Sequence, residues 1–342
     1  MEKKVLVTES INEKGISLLK EHGCEVVMGT GIEPETVIRE AKGCVGILTR
    51  NAHIDARIMD ACPDLKVISM HGVGVDCIDV EAATKRGIQV TNAAKSNQSA
   101  VAEYTIGLIL MLAKHSLDYN NEFKNGNMEV RNELGSNVSG KILGIIGMGN
   151  IGTQVARMAS GGLSMKVIGY NRHIDSPVKT EFGYLTNDMN EVIEKADFLS
   201  LHLPGGAATR HMIGYEQLSR MKESAYLINT GRGEVINEKD LIRILEEHKI
   251  KGAALDVFEG NLPERDNPLL SMSNVIVTPH TAAFTIEALE RMAYQAALGI
   301  VEVIEEKPIS YPVNQLHNSF EESQPVKRVM DYFRHEFGYQ NV

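Results

Sequence analysis

The sequence is poor in cysteine and lacks the long apolar segments of a membrane protein. Its four cysteines form no CxxC pair, and no histidines stand at the spacing of a zinc site, so we predict no metal centre. The cysteines are Cys24, Cys44, Cys62 and Cys77, a pattern typical of buried free thiols in the cytoplasm. The longest apolar run, residues 100–113, is interrupted by Glu103, whereas a membrane span needs ~20 apolar residues. We expect a buried helix there, and we find no signal-peptide pattern at the N-terminus.

Positive charge is also in deficit, because the net charge is -10. An acidic surface repels phosphates, which argues against a nucleic-acid partner. A small anionic substrate stays possible, since one pocket can be locally positive. The 342 residues, with 43% hydrophobic and 23% charged side chains, are typical of a soluble globular protein with room for two domains.

Short apolar strands alternate with helical segments along most of the chain. The first series has predicted strands at residues 5–7, 25–28, 45–48, 65–70 and 90–91. The second series has predicted strands at residues 142–146, 166–170, 198–203, 225–229, 252–256 and 275–278. Strands separated by helices indicate right-handed parallel crossovers, so we predict an α/β fold with two doubly wound parallel sheets. Apolar helices at residues 99–115 and 286–304 are expected to connect the two units.

A glycine-rich turn follows the predicted strand at residues 142–146. Its sequence is GMGNIG at residues 147–152, with the spacing GxGxxG and a helical segment behind it. Gly147 permits the tight turn, Gly149 lets the backbone approach a pyrophosphate, and Gly152 lets the helix pack closely on the strand. The helix N-terminus then offers free N–H groups to an anion. This pattern predicts a dinucleotide-binding loop.

The end of the next strand is expected to contact the adenosine ribose. An acidic residue there selects NAD, but this sequence has Asn171 followed by Arg172. Asparagine can bond a ribose hydroxyl without repelling a 2′-phosphate, and the arginine could bind that phosphate. The cofactor is therefore predicted to be NAD or NADP.

Two candidate catalytic side chains lie at the ends of later predicted strands, where open α/β sheets bind ligands. Arg232 stands between two glycines, and its guanidinium can hold a carboxylate and a 2-oxo oxygen together. His280 follows a proline, and its imidazole suits proton exchange with a hydroxyl group. A structural ion pair for Arg232 and a satisfied buried histidine for His280 are the alternatives.

Together these motifs resemble the D-isomer-specific 2-hydroxyacid dehydrogenase family, which includes 3-phosphoglycerate dehydrogenase and glyoxylate/hydroxypyruvate reductases. The resemblance covers residues 5–314 and includes HGVGVDCID at 71–79, SAVAEYTIGLIL at 99–110, HLP at 202–204, INTGRGEVIN at 228–237, ALDVFE at 254–259 and TPHTAAFT at 278–285. It implies a Rossmann-type cofactor domain over residues 97–299. A flavodoxin-like substrate domain would comprise residues 1–96 and 300–342, with the tail at 318–342 packed on it and a cleft between the domains.

The resemblance also implies roles for individual residues. Arg232 would bind the substrate carboxylate and carbonyl, His280 would be the acid/base, and the substrate would also meet Arg50 and the backbone N–H groups of Val73 and Gly74. The remaining cofactor contacts would come from Asn150, Ile151, Asn171, His202, Pro204, Thr230, Gly231 and Asp256. The implied reaction is hydride transfer between NAD(P)H and C2 of a 2-oxo or 2-hydroxy acid, in a cytoplasmic homodimer.

One position departs from the family pattern. Asn261 stands where a glutamate usually orients and charge-stabilises the catalytic histidine. An amide can orient an imidazole but cannot stabilise the imidazolium by charge, so the histidine pKa should be lower. The asparagine could be tolerated with a lower pH optimum, Glu259 or Glu264 could replace the missing carboxylate, or the usual reaction could be lost. The last case leaves a dinucleotide-sensing binding protein as the alternative function.

Overall fold

The computed structural model describes residues 3–260 and 262–316. Two β-sheets form its framework, and the first contains five parallel strands in the order β2-β1-β3-β4-β5. These strands are β1 (Lys3–Val7), β2 (Cys24–Met28), β3 (Gly46–Thr49), β4 (Val67–Met70) and β5 (Gln89–Thr91). The helices between them are α1 (Glu13–Glu21), α2 (Pro34–Glu40), α3 (Ala56–Asp60) and α4 (Val80–Lys85). All four residues of β3 are buried, as expected for a parallel strand covered on both faces.

The second sheet has eight strands in the order β13-β12-β11-β10-β6-β7-β9-β8. They are β6 (Ile142–Ile146), β7 (Lys166–Tyr170), β8 (Val178–Thr180), β9 (Gly183–Thr186), β10 (Phe198–Leu201), β11 (Tyr226–Asn229), β12 (Gly252–Leu255) and β13 (Val275–Val277). The accompanying helices are α5 (Gln98–Lys114), α6 (Ser116–Lys124), α7 (Asn150–Leu163), α8 (Met189–Lys195), α9 (Tyr215–Ser219) and α10 (Glu238–Glu246). Every neighbouring pair is parallel except β8 and β9, so the predicted fold class is confirmed.

Strands β8 and β9 are absent from the sequence prediction. They form a short antiparallel hairpin that extends the sheet beyond β7. Gly183 begins β9 with φ 153°, and a side chain there would overlap the carbonyl of Val167. Short edge strands with lysine and threonine carry little apolar periodicity, which explains why the pattern did not reveal them.

The long helix α11 (Ile286–Ile304) returns the chain to the first sheet. Its apolar face, including Ala297 and Ile300, packs with Val5 and Val67 of that sheet. The hydroxyl of Ser69 also donates to the Ala296 carbonyl at 2.7 Å. The predicted domain boundary at 299/300 lies within this helix, whose N-terminal part also packs near Ala100 of α5.

Among the described helices, none alone is long and apolar enough to cross a membrane; α5 and α6 satisfy length and composition only as a pair bent by 61°. The predicted packing of the tail at 318–342 lies outside the described residues.

Candidate active site

The glycine-rich turn joins β6 to α7 and leaves open space for a ligand. Gly147 has φ 104°, and a Cβ there would lie 2.5 Å from the carbonyl oxygen of His202. A Cβ on Gly152 would overlap the carbonyl of Gly147, so this helix packs closely on the turn. A Cβ on Gly149, in contrast, would meet no atom of the described chain within 4 Å. The space in front of Gly149 therefore leaves room for a pyrophosphate to approach the backbone.

The N-terminus of α7 supports the same fit. The helix begins at Asn150 directly after Gly149, and its first turn carries no acidic side chain. Ile151 packs its side chain against the core of the second sheet, and the first N–H groups of a helix have no partner within the helix itself. The partial positive charge of this 14-residue helix therefore lies where a phosphate would sit.

The end of β7 presents Asn171 and Arg172 beside the glycine turn. The side-chain oxygen of Asn171 accepts from the His173 N–H at 3.0 Å, which fixes the turn. Arg172 is exposed and its Nε donates to the His173 ring at 3.1 Å. Two basic side chains thus stand together at the position expected for the ribose, and the strand end carries no carboxylate at residues 171–173.

His202 and Pro204 form the wall opposite Gly147. The His202 N–H donates to the Ile146 carbonyl at 2.8 Å, and its Nε2 lies 2.9 Å from the Ser200 hydroxyl. Burial lowers the pKa of His202 to about 4, so the ring is neutral at physiological pH. The Pro204 carbonyl accepts from Thr209 at 2.7 Å and thereby holds the following loop.

The loop after β11 is shaped by Asn229, a residue that the sequence interpretation did not single out. Its side chain accepts from the Gly231 N–H and donates to the Arg232 carbonyl, both at 3.0 Å. The neighbouring Thr230 hydroxyl meets Thr105 of α5 at 3.0 Å, in the interior. An asparagine amide that bonds its own loop is a common turn device, and it could have been recognised from the NTG sequence.

The Arg232 guanidinium bridges the two sheets. Its Nε donates to Asp76 Oδ2 at 2.9 Å, and its Nη1 donates to the Gly231 carbonyl at 2.9 Å. Asp76 follows β4 of the first sheet, whereas Arg232 follows β11 of the second. A Cβ on Gly74 would overlap Arg232 Nη2, so the guanidinium rests directly on this backbone. The remaining N–H groups of the fork-shaped donor set are available to a ligand.

Asp256 ties down the loop that carries His280. Its Oδ1 accepts from the Thr278 hydroxyl at 2.6 Å and from the Thr281 N–H at 2.9 Å, and its Oδ2 accepts from the Ala282 N–H at 2.9 Å. The carboxylate is fully buried. Asp256 therefore has a structural task in this loop in addition to the nicotinamide contact that the sequence predicts.

His280 is half-buried in the cleft with a left-handed backbone, φ 55°. Its N–H donates to the Asp256 carbonyl at 2.8 Å. Burial and then the positive charge of Arg232 lower the pKa of His280 below its usual value, and they outweigh the opposing effects of Asp256 and Asp76. The predicted effect of Asn261 on this pKa stays a prediction, because Asn261 lies outside the described residues.

The two carboxylates considered as replacements for the missing glutamate occupy other places. Glu259 Oε1 lies 2.6 Å from His211 Nε2 and 3.7 Å from Arg210. Glu264 is exposed, and its carbonyl accepts from the Asn267 N–H at 3.1 Å. The charged partners that set the pKa of His280 are instead Arg232, Asp256 and Asp76.

One cleft of about 460 Å³ brings the candidate residues together. From the first sheet it is lined by Arg50, Asn51, His53, Met70, Gly74, Asp76 and Cys77, and from the second by Arg232, Gly233, Glu234, Val257, Phe258, Gly260 and His280. Val73 adjoins this lining, and its N–H and that of Gly74 donate to no acceptor among the described residues. The cleft is therefore rich in donors at the edge where the two sheets meet.

Glu9 builds the part of the cleft that carries Arg50. Its carboxylate accepts from the backbone N–H groups of Arg50, Asn51 and Ala52 at 3.2, 2.7 and 3.2 Å. The Arg50 guanidinium lies 5.5 Å from the ring centre of Phe284, in the loop before α11. Glu9 was not predicted as part of the site, because it lies 41 positions from Arg50 and gives no local signal in the sequence.

Several known proteins are similar to this chain. The model of the NAD binding domain of D-isomer specific 2-hydroxyacid dehydrogenases matches residues 106–282. A D-3-phosphoglycerate dehydrogenase from Methanocaldococcus jannaschii is 42% identical over 287 residues, which cover 83% of this chain and 54% of that protein. A glyoxylate reductase from Korarchaeum cryptofilum is 37% identical over 311 residues, with 88% of this chain and 92% of the relative covered.

Solved structures are similar over the same extent. An NADPH-dependent glyoxylate/hydroxypyruvate reductase from Sinorhizobium meliloti, in complex with NADP and malonate, superposes with a TM-score of 0.82 at 27% identity and covers 94% of this chain and 100% of its own. The chain spans about half the length of the phosphoglycerate dehydrogenase relatives, 54% and 59%. The matched domain confirms the prediction of a nicotinamide dinucleotide, NAD or NADP. The chain belongs to the D-isomer specific 2-hydroxyacid dehydrogenase family.

Proposed function

We propose that this protein is an NAD(P)-dependent dehydrogenase that interconverts a small 2-oxo acid and its D-2-hydroxy acid. The observation that carries the proposal is the joint position of Arg232 and His280 in one cleft. Relatives named as D-3-phosphoglycerate dehydrogenase and glyoxylate reductase support an enzyme over the dinucleotide sensor. When bound, the dinucleotide would supply or accept the hydride at C2.

The substrate acid would be held by donors from both sheets. Arg232 would present its free N–H groups to the carboxylate and the 2-oxo oxygen, since a guanidinium can bind both as a bidentate donor. The N–H groups of Val73 and Gly74 would complete the anion site, because they point to no acceptor of the described chain. Arg50 would face the far end of the substrate at the opposite side of the cleft.

His280 would move the proton. In reduction its imidazolium would donate to the 2-oxo oxygen, and in oxidation the neutral ring would accept from the hydroxyl. Arg232 would stabilise the negative charge that develops on that oxygen. Asp256 would keep the histidine loop in place, because three donors of that loop bond to the Asp256 carboxylate.

The dinucleotide would lie along the glycine turn at residues 147–152, with Asn150 and Ile151 at the pyrophosphate. Asn171 and Arg172 would meet the adenosine ribose, and the pair of Arg172 with His173 favours a 2′-phosphate. His202 and Pro204 would form one wall of this groove. Thr230, Gly231 and Asp256 would lie towards the nicotinamide end.

A substrate panel tests the proposed function. We expect at least one of glyoxylate, hydroxypyruvate, pyruvate and branched 2-oxo acids to be reduced with NADH or NADPH, followed by loss of absorbance of the reduced cofactor. Failure of all of them with both cofactors would contradict the proposal. Comparison of KM for NADH and NADPH in wild type and Arg172→Ala tests cofactor choice, and we expect the substitution to raise KM for NADPH alone.

We also propose that the protein is a homodimer in the cytoplasm. Helix α6 has no buried residue, and large apolar side chains are exposed on it and on the segment that follows; they are Leu117, Phe123, Met128 and Leu134. Exposed apolar groups of this size favour a protein interface, and a second copy of the chain is the partner we propose. The four free cysteines support a reducing compartment.

Light scattering after size exclusion tests the dimer. We expect twice the 37.6 kDa of one chain for wild type, and a monomer for Phe123→Asp. The control Ile32→Asp, at an exposed apolar residue of the first sheet's unit, should stay dimeric. A monomeric wild type would contradict the proposal.

A further inference from the structure

Asp76 is an acidic side chain in a cleft that is proposed to bind an acid. It lines the cleft together with Arg232 and His280. A carboxylate in such a place repels an anionic substrate unless its charge is already engaged. Asp76 is therefore expected to have a charged partner in the cleft and a role other than direct contact with the substrate.

The contacts of Asp76 show how its charge is engaged. Oδ2 accepts from Arg232 Nε at 2.9 Å, on the side edge of the guanidinium. The Gly231 carbonyl takes one N–H of Nη1, and the backbone of Gly74 supports Nη2. These contacts hold the guanidinium from two sides, and Arg232 itself lines the cleft.

We propose that Asp76 is a positioning residue of the proposed reaction: it orients the Arg232 guanidinium towards the substrate carboxylate and balances the positive charge of Arg232 beside His280. The proposal rests on the proposed function. Asp76 itself would touch neither the substrate nor the dinucleotide.

The charge balance follows from the groups that face His280. Arg232 disfavours the imidazolium, whereas Asp76 and Asp256 favour it. The Asp256 carboxylate is tied up by three donors of its own loop. Asp76 is the carboxylate that pairs with Arg232 directly, so its removal would leave the arginine charge less compensated and would lower the pKa of His280 further.

The solvent exposure of the Asp76–Arg232 pair distinguishes a positioning role from a role in folding stability. The Asp76 side chain is 58% exposed and that of Arg232 is 29% exposed. An ion pair this accessible contributes little to folding stability, because water and salt screen it. A positioning role therefore predicts kinetic effects with an almost unchanged melting temperature.

The test compares Asp76→Asn and Asp76→Glu with a matched control, Asp60→Asn. Asp60 pairs with Arg86 at 2.7 Å on the outside of the first sheet's unit, and its side chain is 64% exposed. We expect Asp76→Asn to lower kcat/KM for the best 2-oxo acid by about 10- to 100-fold, as for a misplaced binding group. The glutamate should recover part of the loss, and the control should behave as wild type. The dissociation constant of the reduced dinucleotide should be the same in all four proteins.

A second readout does not depend on turnover. Titration of the His280 imidazole by NMR in ¹⁵N-histidine-labelled protein, assigned with His280→Gln, should give a lower pKa in Asp76→Asn than in wild type or Asp60→Asn. This experiment remains decisive if no 2-oxo acid is reduced, so failure of the proposed function is distinguishable. An unchanged His280 titration, or a loss of activity that merely follows a lower melting temperature, would overturn the proposal.

Discussion

His280 has a backbone conformation that few side chains adopt. Its φ of 55° lies in the left-handed region, which costs of the order of 1 kcal/mol for a residue other than glycine. The Asp256 carbonyl accepts the His280 N–H, and the Asp256 carboxylate accepts the N–H groups of the two residues that follow. The strain is therefore held by one buried carboxylate, and it aims the imidazole into the cleft.

The lowered pKa of His280 predicts the pH dependence of the reaction. Reduction needs the imidazolium, so its kcat/KM should be constant below the pKa and fall as the pH rises through it, already below pH ~6.5, the value of free histidine. Oxidation needs the neutral ring, so its kcat/KM should rise with pH through the same pKa and then stay constant. Steady-state profiles in both directions check this.

The control for the pH profile is a histidine away from the cleft. His22 pairs with Glu305 at 2.9 Å, so His22→Gln should keep the profile of wild type. A reduction limb centred above the value of free histidine would contradict the assignment.

Asp256→Asn should destabilise the protein even without ligand. The amide nitrogen cannot accept, so one of the bonds from Thr278, Thr281 or Ala282 would be lost in the interior. An unsatisfied buried donor costs about 1–3 kcal/mol, which urea unfolding of the free protein would detect.

The comparison for this variant is Asp240→Asn, at a half-buried position of α10 whose carboxylate accepts from the Tyr215 N–H at 3.0 Å. We expect a smaller loss of stability there and full activity. If Asp256→Asn unfolded at the wild-type urea concentration, a structural task for this carboxylate would be ruled out.

Individual contacts were the least accessible to sequence reasoning. Arg232, His280 and Asp256 follow from motif position, but their partners do not. Asp76 and Arg232 are 156 residues apart, and Glu9 and Arg50 are 41 apart. Such pairs arise only when the strands have been ordered in space, and a pattern of neighbouring residues does not encode them.

At the scale of elements, the turn between β6 and α7 shows why three glycines need not be equivalent. Gly147 and Gly152 are bare because the chain itself fills the space, whereas Gly149 faces open space. The fold therefore requires the first two glycines, whereas it leaves space for a side chain at the third.

Gly149→Ala should weaken dinucleotide binding and leave the fold intact. The added methyl group would project where the pyrophosphate approaches, and we expect a dissociation constant about 10-fold higher or more, a loss of ~1.4 kcal/mol. Fluorescence titration with NADH and NADPH measures it. The free energy of unfolding should change by less than about 1 kcal/mol.

Gly161→Ala is the matched control on the same helix. A Cβ there also meets no atom within 4 Å, but the residue lies near the other end of α7. It should bind both cofactors as wild type does. Equal affinity in Gly149→Ala and Gly161→Ala would mean that the turn does not hold the pyrophosphate.

The elements were predicted better than their contacts. The strand β6 and the helix α11 have the bounds that their apolar patterns indicate, Ile142–Ile146 and Ile286–Ile304. The hairpin of β8 and β9 was not predicted, because its two strands are short and partly polar. The apolar period of a long segment predicts which of its faces is buried. A short edge strand has no such period, and its formation depends on the sheet that it joins.

At the scale of the whole molecule, the site exists only between the two sheets. Arg50, Gly74 and Asp76 come from one side, and Arg232 and His280 come from the other. The pair of Asp76 with Arg232 joins the two sides of the cleft. The predicted division into two domains with a cleft between them is consistent with these contacts and stays a prediction in its boundaries.

In the proposed reaction, Arg232 serves the reacting acid and not the dinucleotide. The measurement compares kcat/KM for the best 2-oxo acid with the dissociation constant of the reduced dinucleotide, in wild type, Arg232→Ala and the surface control Arg243→Ala. The Arg243 side chain pairs with Glu247, the residue that follows α10. We predict that Arg232→Ala loses about 100-fold or more in kcat/KM, while its dinucleotide affinity and all properties of the control stay as in wild type. Wild-type kcat/KM in Arg232→Ala would contradict the account.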